Sequence, residues 1–339
     1  MPFWLDIAAF LLKAIILVAA IGAVAFLIAR LARSGDDHDK DEDIKVRTLN
    51  ERYDAMRDAI NGALLDRKAR KALRKSRKKE KKAAKPDDGG RRIYVLGFKG
   101  DMRASAVKRL GREIDAVLTV ARPGADEVAL RLDSPGGTVT GYGLAAAEIL
   151  RLRARKVRVT ALVDQVAASG GYMMAVAADR IVAAPFAVVG SIGVVAPVPN
   201  VHRLLKKNEI DFEEMTAGEF KRSVSLLGEI TPAGREHFRG KLDDMHGAFK
   251  AHVAACRPGL DIARVANGDN WLASEGLALG LVDELMTGDE WLFRARESAR
   301  LIEVTTEARK TLVQHLLGGL GVAARSAADF ALSGGRARA

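Results

Sequence analysis

Apolar residues follow three patterns along the chain, and the first is a long run near the amino terminus. Residues 7–29 carry a single charge, Lys13. As a helix rising 1.5 Å per residue, this run would reach roughly 34 Å, enough to cross a hydrocarbon core of roughly 30 Å. Residues 1–33 are therefore predicted to be a transmembrane anchor. A cleavable signal peptide is the alternative, which the length of the run and the non-basic residues before it disfavour.

The second pattern is a charged, helix-prone segment at residues 34–90. Its first residues, 34–43, are mostly acidic. Apolar residues at helical spacing follow, namely Leu49, Tyr53, Met56, Ile60 and Leu64. This spacing indicates an amphipathic helix or a short coiled coil that serves as an oligomer contact or a stalk. The segment ends in the turn-forming residues 86–90, which indicate a linker.

The third pattern begins at Arg91, where short apolar runs alternate with helical stretches. Runs at 93–98, 127–133 and 157–164 are typical of buried strands. Helices of 10–15 residues between such strands predict an α/β domain with a mostly parallel sheet. We place this domain at residues 91–300 and a carboxy-terminal helix and tail at 301–339.

The net charge of +11 is confined to one part of the chain. Residues 67–85 hold 12 Lys and Arg and one Glu, so the remaining residues sum to zero. The basic run has no interleaved aromatic residues, which disfavours nucleic acid as a partner. A solvated spacer and a site for anionic lipid headgroups stay open. The single cysteine, Cys256, excludes an intramolecular disulfide and a cysteine-rich zinc site.

Candidate chemistry lies in three turns rich in Gly and Ser at predicted strand ends, which are residues 133–137, 168–172 and 190–193. A glycine pair after a strand lets backbone N–H groups face an open cleft, and two converging amides form an oxyanion hole. Ser169 precedes two glycines and an apolar helix, so it can be a nucleophile at a helix start. An ordinary N-cap serine is the alternative.

A serine nucleophile needs a base to take its proton. The six histidines form no HExxH pair, and the chain has no G-x-S-x-G motif, so a Ser-His-Asp triad has little support. A lysine can act as the base if burial lowers its pKa. Lys221, which follows Phe220, is the candidate, and an exposed surface lysine is the alternative reading.

A dinucleotide site is a competing prediction. Residues 141–146 match G-x-G-x-x-A, and Asp164 ends the next strand. The fingerprint needs its first glycine in the turn directly after a strand. Here the preceding strand ends near Asp133, eight residues before Gly141, so the motif is disfavoured.

Four segments in this order resemble peptidase family S49, the signal peptide peptidase A (protease IV) family; they are residues 131–137, 166–172, 189–194 and 216–223. The resemblance covers about residues 92–293. It implies a ClpP/crotonase-like α/β fold with a mostly parallel sheet and flanking helices. In this chain the predicted transmembrane helix and the charged helical segment precede that fold.

The resemblance also implies roles for individual residues. Ser169 corresponds to the family's nucleophile and Lys221 to its general base. Ser191 corresponds to the serine that orients the lysine. The backbone amides of Gly136 and Gly170 correspond to the oxyanion donors. No metal and no cofactor are expected.

The implied function is a membrane-anchored serine endopeptidase that cleaves hydrophobic or membrane-derived peptides. Expected partners are a peptide or membrane-protein substrate, the lipid bilayer and further copies of the chain, because serine and lysine can come from different subunits in single-domain relatives. The expected localisation is the bacterial inner membrane, with the side of the catalytic domain open. A crotonase-type acyl-CoA enzyme and a non-catalytic membrane scaffold are the alternatives.

Overall fold

The computed structural model describes residues 42–83 and 90–308. One compact unit covers Ile44–Thr306. A second unit comprises residues 1–43 and 307–339, and almost all of it lies outside the described residues. The predicted anchor at 1–33 lies outside the described residues. So does the predicted helix and tail at 301–339, apart from residues 301–308. No helix within 42–83 or 90–308 is both long and apolar enough to cross a membrane.

The described residues form ten strands and ten helices. The strands are β1 (Glu42–Thr48), β2 (Arg92–Lys99), β3 (Glu127–Asp133), β4 (Arg158–Val163), β5 (Val166–Ala168), β6 (Arg180–Ala183), β7 (Val188–Gly190), β8 (Asn270–Leu272), β9 (Glu284–Leu285) and β10 (Arg300–Ala308). The helices are α1 (Leu49–Leu64), α2 (Arg67–Ala83), α3 (Val107–Leu118), α4 (Val139–Ala154), α5 (Gly170–Val176), α6 (His202–Lys207), α7 (Pro232–Cys256), α8 (Ile262–Val265), α9 (Ala273–Ala278) and α10 (Gly288–Ala295).

A seven-stranded sheet forms the centre of the compact unit, in the order β1-β10-β2-β3-β4-β6-β9. The pairs from β10 through to β9 are all parallel. Strands β2, β3 and β4 are apolar over most of their length because both faces of a parallel sheet are covered. The predicted α/β class with a mostly parallel sheet is thus confirmed.

A second sheet of three short strands, ordered β5-β7-β8, carries the turns of chemical interest. Strands β5 and β7 are parallel, and β8 is antiparallel to β7. The bridge between Ser134 and Ala167 connects the end of β3 to β5. Because of this bridge, the turn after β3 and the turn after β5 lie side by side.

Two apolar clusters cover the two faces of the main sheet. The larger one includes Phe98, Leu130, Tyr142 and Tyr172, together with the inner faces of α3, α4 and α5. The smaller one includes Ile93, Val95 and Leu301 and is closed by Leu49 and Leu292. Residues 166–199 contribute β5, α5, β6 and β7 to this fold.

The compact unit extends beyond the predicted domain limits at both ends. Strand β10 continues to Ala308, within the range 301–339 that is predicted to be a helix and tail. At the other end Asn50 of α1 donates to Ala299 O at 3.1 Å and accepts from Leu301 N–H at 2.8 Å. The start of α1 therefore packs against the start of β10, because the Asn50 side chain satisfies backbone groups there.

The predicted apolar stripe of α1 is divided in two. Leu49 is buried, and the Tyr53 ring meets the Phe293 ring edge to face at 5.7 Å. Met56, Ile60 and Leu64 are exposed. The first turn of the stripe thus packs within the unit, and its remainder faces solvent.

Candidate active site

Ser169 lies in a strand–turn–helix junction between β5 and α5. Its φ of 52° and ψ of −121° are outside the regions that residues with a Cβ ordinarily adopt. Such a conformation costs about 1–3 kcal/mol and concentrates at functional sites. The side chain accepts no capping hydrogen bond from the helix. Ser169 thus stands at the N-cap position of α5 without making the hydrogen bond of a capping side chain.

Ser191 occupies the equivalent position after the neighbouring strand. Strands β5 and β7 are in register at Ala168 and Gly190, and Ser169 N–H donates to Gly190 O at 2.8 Å. Ser191 also has a positive φ, 54°, and its N–H donates to Asp269 O at 2.6 Å. The two serines thus follow paired parallel strands, each in a constrained turn.

The glycines after β3 approach the serine turn closely. A Cβ added to Gly136, whose φ is 94°, would lie 2.7 Å from Gly170 N and 2.8 Å from Ser169 Cβ. A Cβ on Gly170 would lie 2.4 Å from Tyr142 Cγ. Only glycine fits at both positions, because any side chain would overlap these atoms.

The amide of Gly136 is already engaged within the loop, since it donates to Ser134 Oγ at 3.1 Å. Gly137, the next residue, lines the cavity at Ser169, whereas Gly136 does not. The amide of Gly170 is the first in α5, where N–H groups have no intrahelical acceptor. The family resemblance implies Gly136 as a donor, and the cavity lining adds Gly137, the other member of the same glycine pair.

The cavity beside Ser169 is small and apolar, with a volume of about 70 Å³. Its walls are Gly137, Val139, Gly170, Met173, Gly193, Val194, Val195, Met245 and Phe249. None of these is a titratable side chain. Within the described part of one chain, the cavity therefore holds a hydroxyl and backbone amides but no base.

Lys221 is not brought to Ser169. Its side chain is exposed, it does not line the cavity, and its N–H donates to Gly218 O at 3.1 Å in a tight turn. The preceding residue, Phe220, stacks on His237 of α7 with ring centroids 3.9 Å apart. The structure thus unites Ser169, Ser191 and the glycine amides and places Lys221 elsewhere on the surface.

The residues that suggested a dinucleotide site have structural roles in this fold. Gly141 lies within α4, which begins at Val139, so the G-x-G-x-x-A sequence is helix interior rather than a strand–helix turn. Asp164 accepts from Gly288 N–H at 2.7 Å and pairs with Arg131. A carboxylate pair of the crotonase type is absent from the described lining of the Ser169 cavity.

Comparison with known proteins assigns the family. The model for the peptidase family S49 N-terminal region matches residues 2–149, and the model for peptidase family S49 matches residues 151–302. A "Probable protease SohB" of Buchnera aphidicola subsp. Schlechtendalia chinensis is 38% identical over 305 residues, which cover 86% of this chain and 99% of that protein. The chain belongs to peptidase family S49. It is a serine peptidase by family.

Two further similarities differ in extent. The "Probable protease SohB" of Haemophilus influenzae is 50% identical over 222 residues, which cover 66% of this chain and 63% of that protein. Among solved structures, the 1510-N membrane-bound stomatin-specific protease matches with a TM-score of 0.42 and 14% identity, covering 67% of this chain and 98% of that one.

Proposed function

We propose that the protein is a membrane-anchored serine endopeptidase that uses a Ser169–Lys221 dyad. The observation that carries the proposal is the conformation of Ser169, a constrained, uncapped serine beside glycine amides and an apolar cavity. Family S49 membership supports the reaction type.

The reaction begins with proton transfer from Ser169 Oγ to the neutral amine of Lys221. The serine oxygen then attacks the peptide carbonyl, and the carbonyl oxygen becomes a tetrahedral oxyanion. The N–H groups of Gly170 and of Gly137, both of which line the cavity, stabilise it. The Lys221 ammonium next protonates the leaving amine as the C–N bond breaks, leaving an acyl-enzyme. Water, deprotonated by Lys221, then attacks the acyl carbon. The bond from that carbon to Ser169 Oγ breaks, the Lys221 ammonium returns its proton to Oγ, and the acid product leaves.

We propose that Lys221 reaches Ser169 from a neighbouring subunit of a homo-oligomer. The cavity lacks a base of its own, and Lys221 is exposed in a segment that also exposes large apolar side chains. Val195 is 87% and Met215 89% exposed, as expected for surfaces that other copies of the chain cover. In this assembly Ser191, next to Ser169, orients the incoming lysine.

The cavity indicates a preference for small aliphatic side chains in the substrate. A cavity of 150 Å³ accommodates benzene, so the roughly 70 Å³ here suits a group between methyl and isobutyl. Met173, Met245 and Phe249 provide an apolar lining without polar partners for a charged side chain. Hydrophobic or membrane-derived peptides fit this lining.

Membrane anchoring rests on the sequence of residues 7–29, which lie outside the described residues. The apolar length of the run supports a single amino-terminal span in the bacterial inner membrane. Carbonate extraction of membranes from cells expressing the full chain tests this part. Retention in the pellet is expected, and release of the full chain would contradict it.

The catalytic proposal is tested by hydrolysis of apolar peptides by the full chain in detergent. Ser169→Ala and Lys221→Ala should each abolish cleavage while Lys207→Ala, another exposed lysine, leaves it unchanged. A peptide aldehyde should inhibit the wild type reversibly. Undiminished cleavage by either of the first two variants would overturn the dyad. Absence of cleavage by the folded wild type would favour a crotonase-type enzyme or a scaffold instead.

A further inference from the structure

Helix α7 contains three of the six histidines, His237, His246 and His252, and each contacts a different segment of the candidate site. The contacted segments are those that carry Lys221, Ser191 and Ser169. The helix itself supplies Met245 and Phe249 to the cavity wall. One element therefore touches all parts of the proposed machinery.

His246 contacts the turn of Ser191. Its Nε2 lies 3.1 Å from Ile192 O, and Ile192 is fully buried. The same turn is closed by Gly193 N–H, which donates to Ser191 O at 2.9 Å. Since a carbonyl can only accept, Nε2 carries the proton and donates. The imidazole thus holds the backbone one residue after Ser191.

His252 contacts the helix of Ser169 in the same manner. Its Nε2 donates to Met173 O at 3.0 Å, and Met173 N–H donates to Ser169 O at 2.9 Å. The other ring nitrogen, Nδ1, lies 4.0 Å from Cys256 Sγ. The thiol and the carbonyl together fix the ring, because one nitrogen faces a donor and the other an acceptor.

The third histidine completes the pattern. His237 stacks on Phe220, the residue before Lys221, with an interplanar angle of 9°. Both rings belong to the same chain. The contact therefore fixes the Lys221 segment, which is proposed to reach Ser169 of a neighbouring subunit. It differs in kind from the two hydrogen bonds, and the inference below rests on those two.

We infer that His246 and His252 are positioning residues of the peptidase site, which set the separation of Ser191 and Ser169 by holding the turn of Ser191 and the helix that follows Ser169 against α7. This rests on the proposed function. Neither ring lines the cavity, so neither touches the reacting atoms. The physical reason is that a misplacement of about 1 Å at a reacting centre can cost about 100-fold in rate.

The test compares His→Phe, which removes the donor, with His→Gln, whose amide nitrogen takes the place of Nε2. His246→Phe and His252→Phe should lower kcat by about 10- to 100-fold and leave KM within about twofold, because binding in the apolar cavity is kept. The Gln variants should recover most of kcat. The rate of Ser169 labelling by a fluorophosphonate should fall and recover in parallel.

His202→Phe is the matched control. His202 of α6 also contacts a carbonyl, Leu227 O at 3.2 Å, but it touches neither serine turn. Its replacement should leave kcat and labelling unchanged. Retained oligomer size and a cooperative melting transition are required of every variant compared.

The outcomes separate this inference from the proposed function. Full kcat in both Phe variants, with Ser169-dependent cleavage in the wild type, would overturn the positioning role alone. Loss of kcat that Gln does not recover would also overturn it, since ring packing rather than the hydrogen bond would be responsible. If a Phe variant does not fold, the corresponding Gln variant is used for the test. A folded Gln variant without activity would contradict the positioning role. Cleavage that survives Ser169→Ala would refute the proposed function instead.

Discussion

Tyr142 Oη and Ser134 Oγ lie 2.6 Å apart in the fully buried space between α4 and the end of β3. Tyr142 donates its proton to Asp101 O at 2.9 Å, so Ser134 must be the donor between the two hydroxyls. Ser134 in turn accepts from Gly136 N–H. A continuous chain of hydrogen bonds thus runs from the glycine loop to Asp101 and fixes that loop next to Ser169.

Tyr142→Phe should destabilise the protein by about 1–3 kcal/mol, because the Ser134 hydroxyl and Asp101 O lose a buried partner. Urea unfolding followed by circular dichroism measures the change. Tyr53→Phe is the control and should stay within about 0.5 kcal/mol, since Tyr53 makes ring contacts only among those described. Equal effects of the two changes would contradict the hydrogen-bond chain.

Gly170→Ala should abolish activity and lower the melting temperature. The new methyl group would lie 2.4 Å from Tyr142 Cγ, so the turn that holds Ser169 must move. Gly143→Ala is the matched control within α4, where an added Cβ meets nothing within 4 Å. It should be neutral or stabilise by up to about 1 kcal/mol, as alanine does in helices. Wild-type activity in Gly170→Ala would show that this close approach does not matter.

The Asp126 carboxyl group should contribute to the loss of folding stability at acid pH. Burial raises the pKa of its carboxyl, but hydrogen bonds from Arg122 and Arg92 outweigh burial and lower the pKa from 3.8 to about 2. Because the pKa of Asp126 is lower in the folded than in the unfolded protein, the ionised carboxylate stabilises the fold at pH values above the unfolded-state pKa. This stabilisation is lost as the pH falls through the folded-state pKa.

Asp126→Asn should therefore destabilise the protein by about 2 kcal/mol at pH 7, and by less at pH 3, where the unfolded carboxyl is already protonated. Urea unfolding at both pH values measures the difference. Asp244→Asn removes an exposed carboxylate that pairs with Lys241, and it should change stability by less than about 1 kcal/mol at either pH. A pH-independent loss in Asp126→Asn would contradict the linkage.

The proposed oligomer predicts a linked loss of assembly and activity. Met215→Asp places a charge on an exposed apolar side chain of the segment that leads to Lys221, and it should dissociate the assembly and lower cleavage together. Val120→Asp alters an exposed valine that lies outside residues 194–226, and it should affect neither the assembly nor the cleavage. Light scattering with peptide hydrolysis on the same samples measures both. A monomeric variant with full activity would contradict a shared dyad.

Sequence pattern predicts the longer elements and does not reveal some of the short ones. The parallel strands β2, β3 and β4 are predictable because burial on both faces demands continuous apolar runs. Strands β5 and β8 have three residues each, too few for a period, and β10 falls where a carboxy-terminal helix and tail are predicted. Its pairing with β2 is a long-range contact, so local sequence does not encode it.

The candidate site was predictable in its residue types but not in its geometry. Ser169 could be singled out, yet its positive φ depends on the register of β5 with β7. The choice between Gly136 and Gly137 turns on a hydrogen bond to Ser134 that no pattern reveals. Lys221 is exposed in one chain, so the role proposed for it requires a partner surface that local sequence does not reveal.

The most direct test of a dyad shared between subunits mixes two inactive full-length variants. Ser169→Ala and Lys221→Ala proteins, each with its own tag, are co-expressed, doubly purified and assayed for peptide hydrolysis. If Ser169 and Lys221 come from adjacent subunits in a ring, roughly a quarter of the sites in a random mixture contain both, so roughly a quarter of wild-type activity should return. Doubly tagged assemblies that stay inactive would contradict the shared dyad.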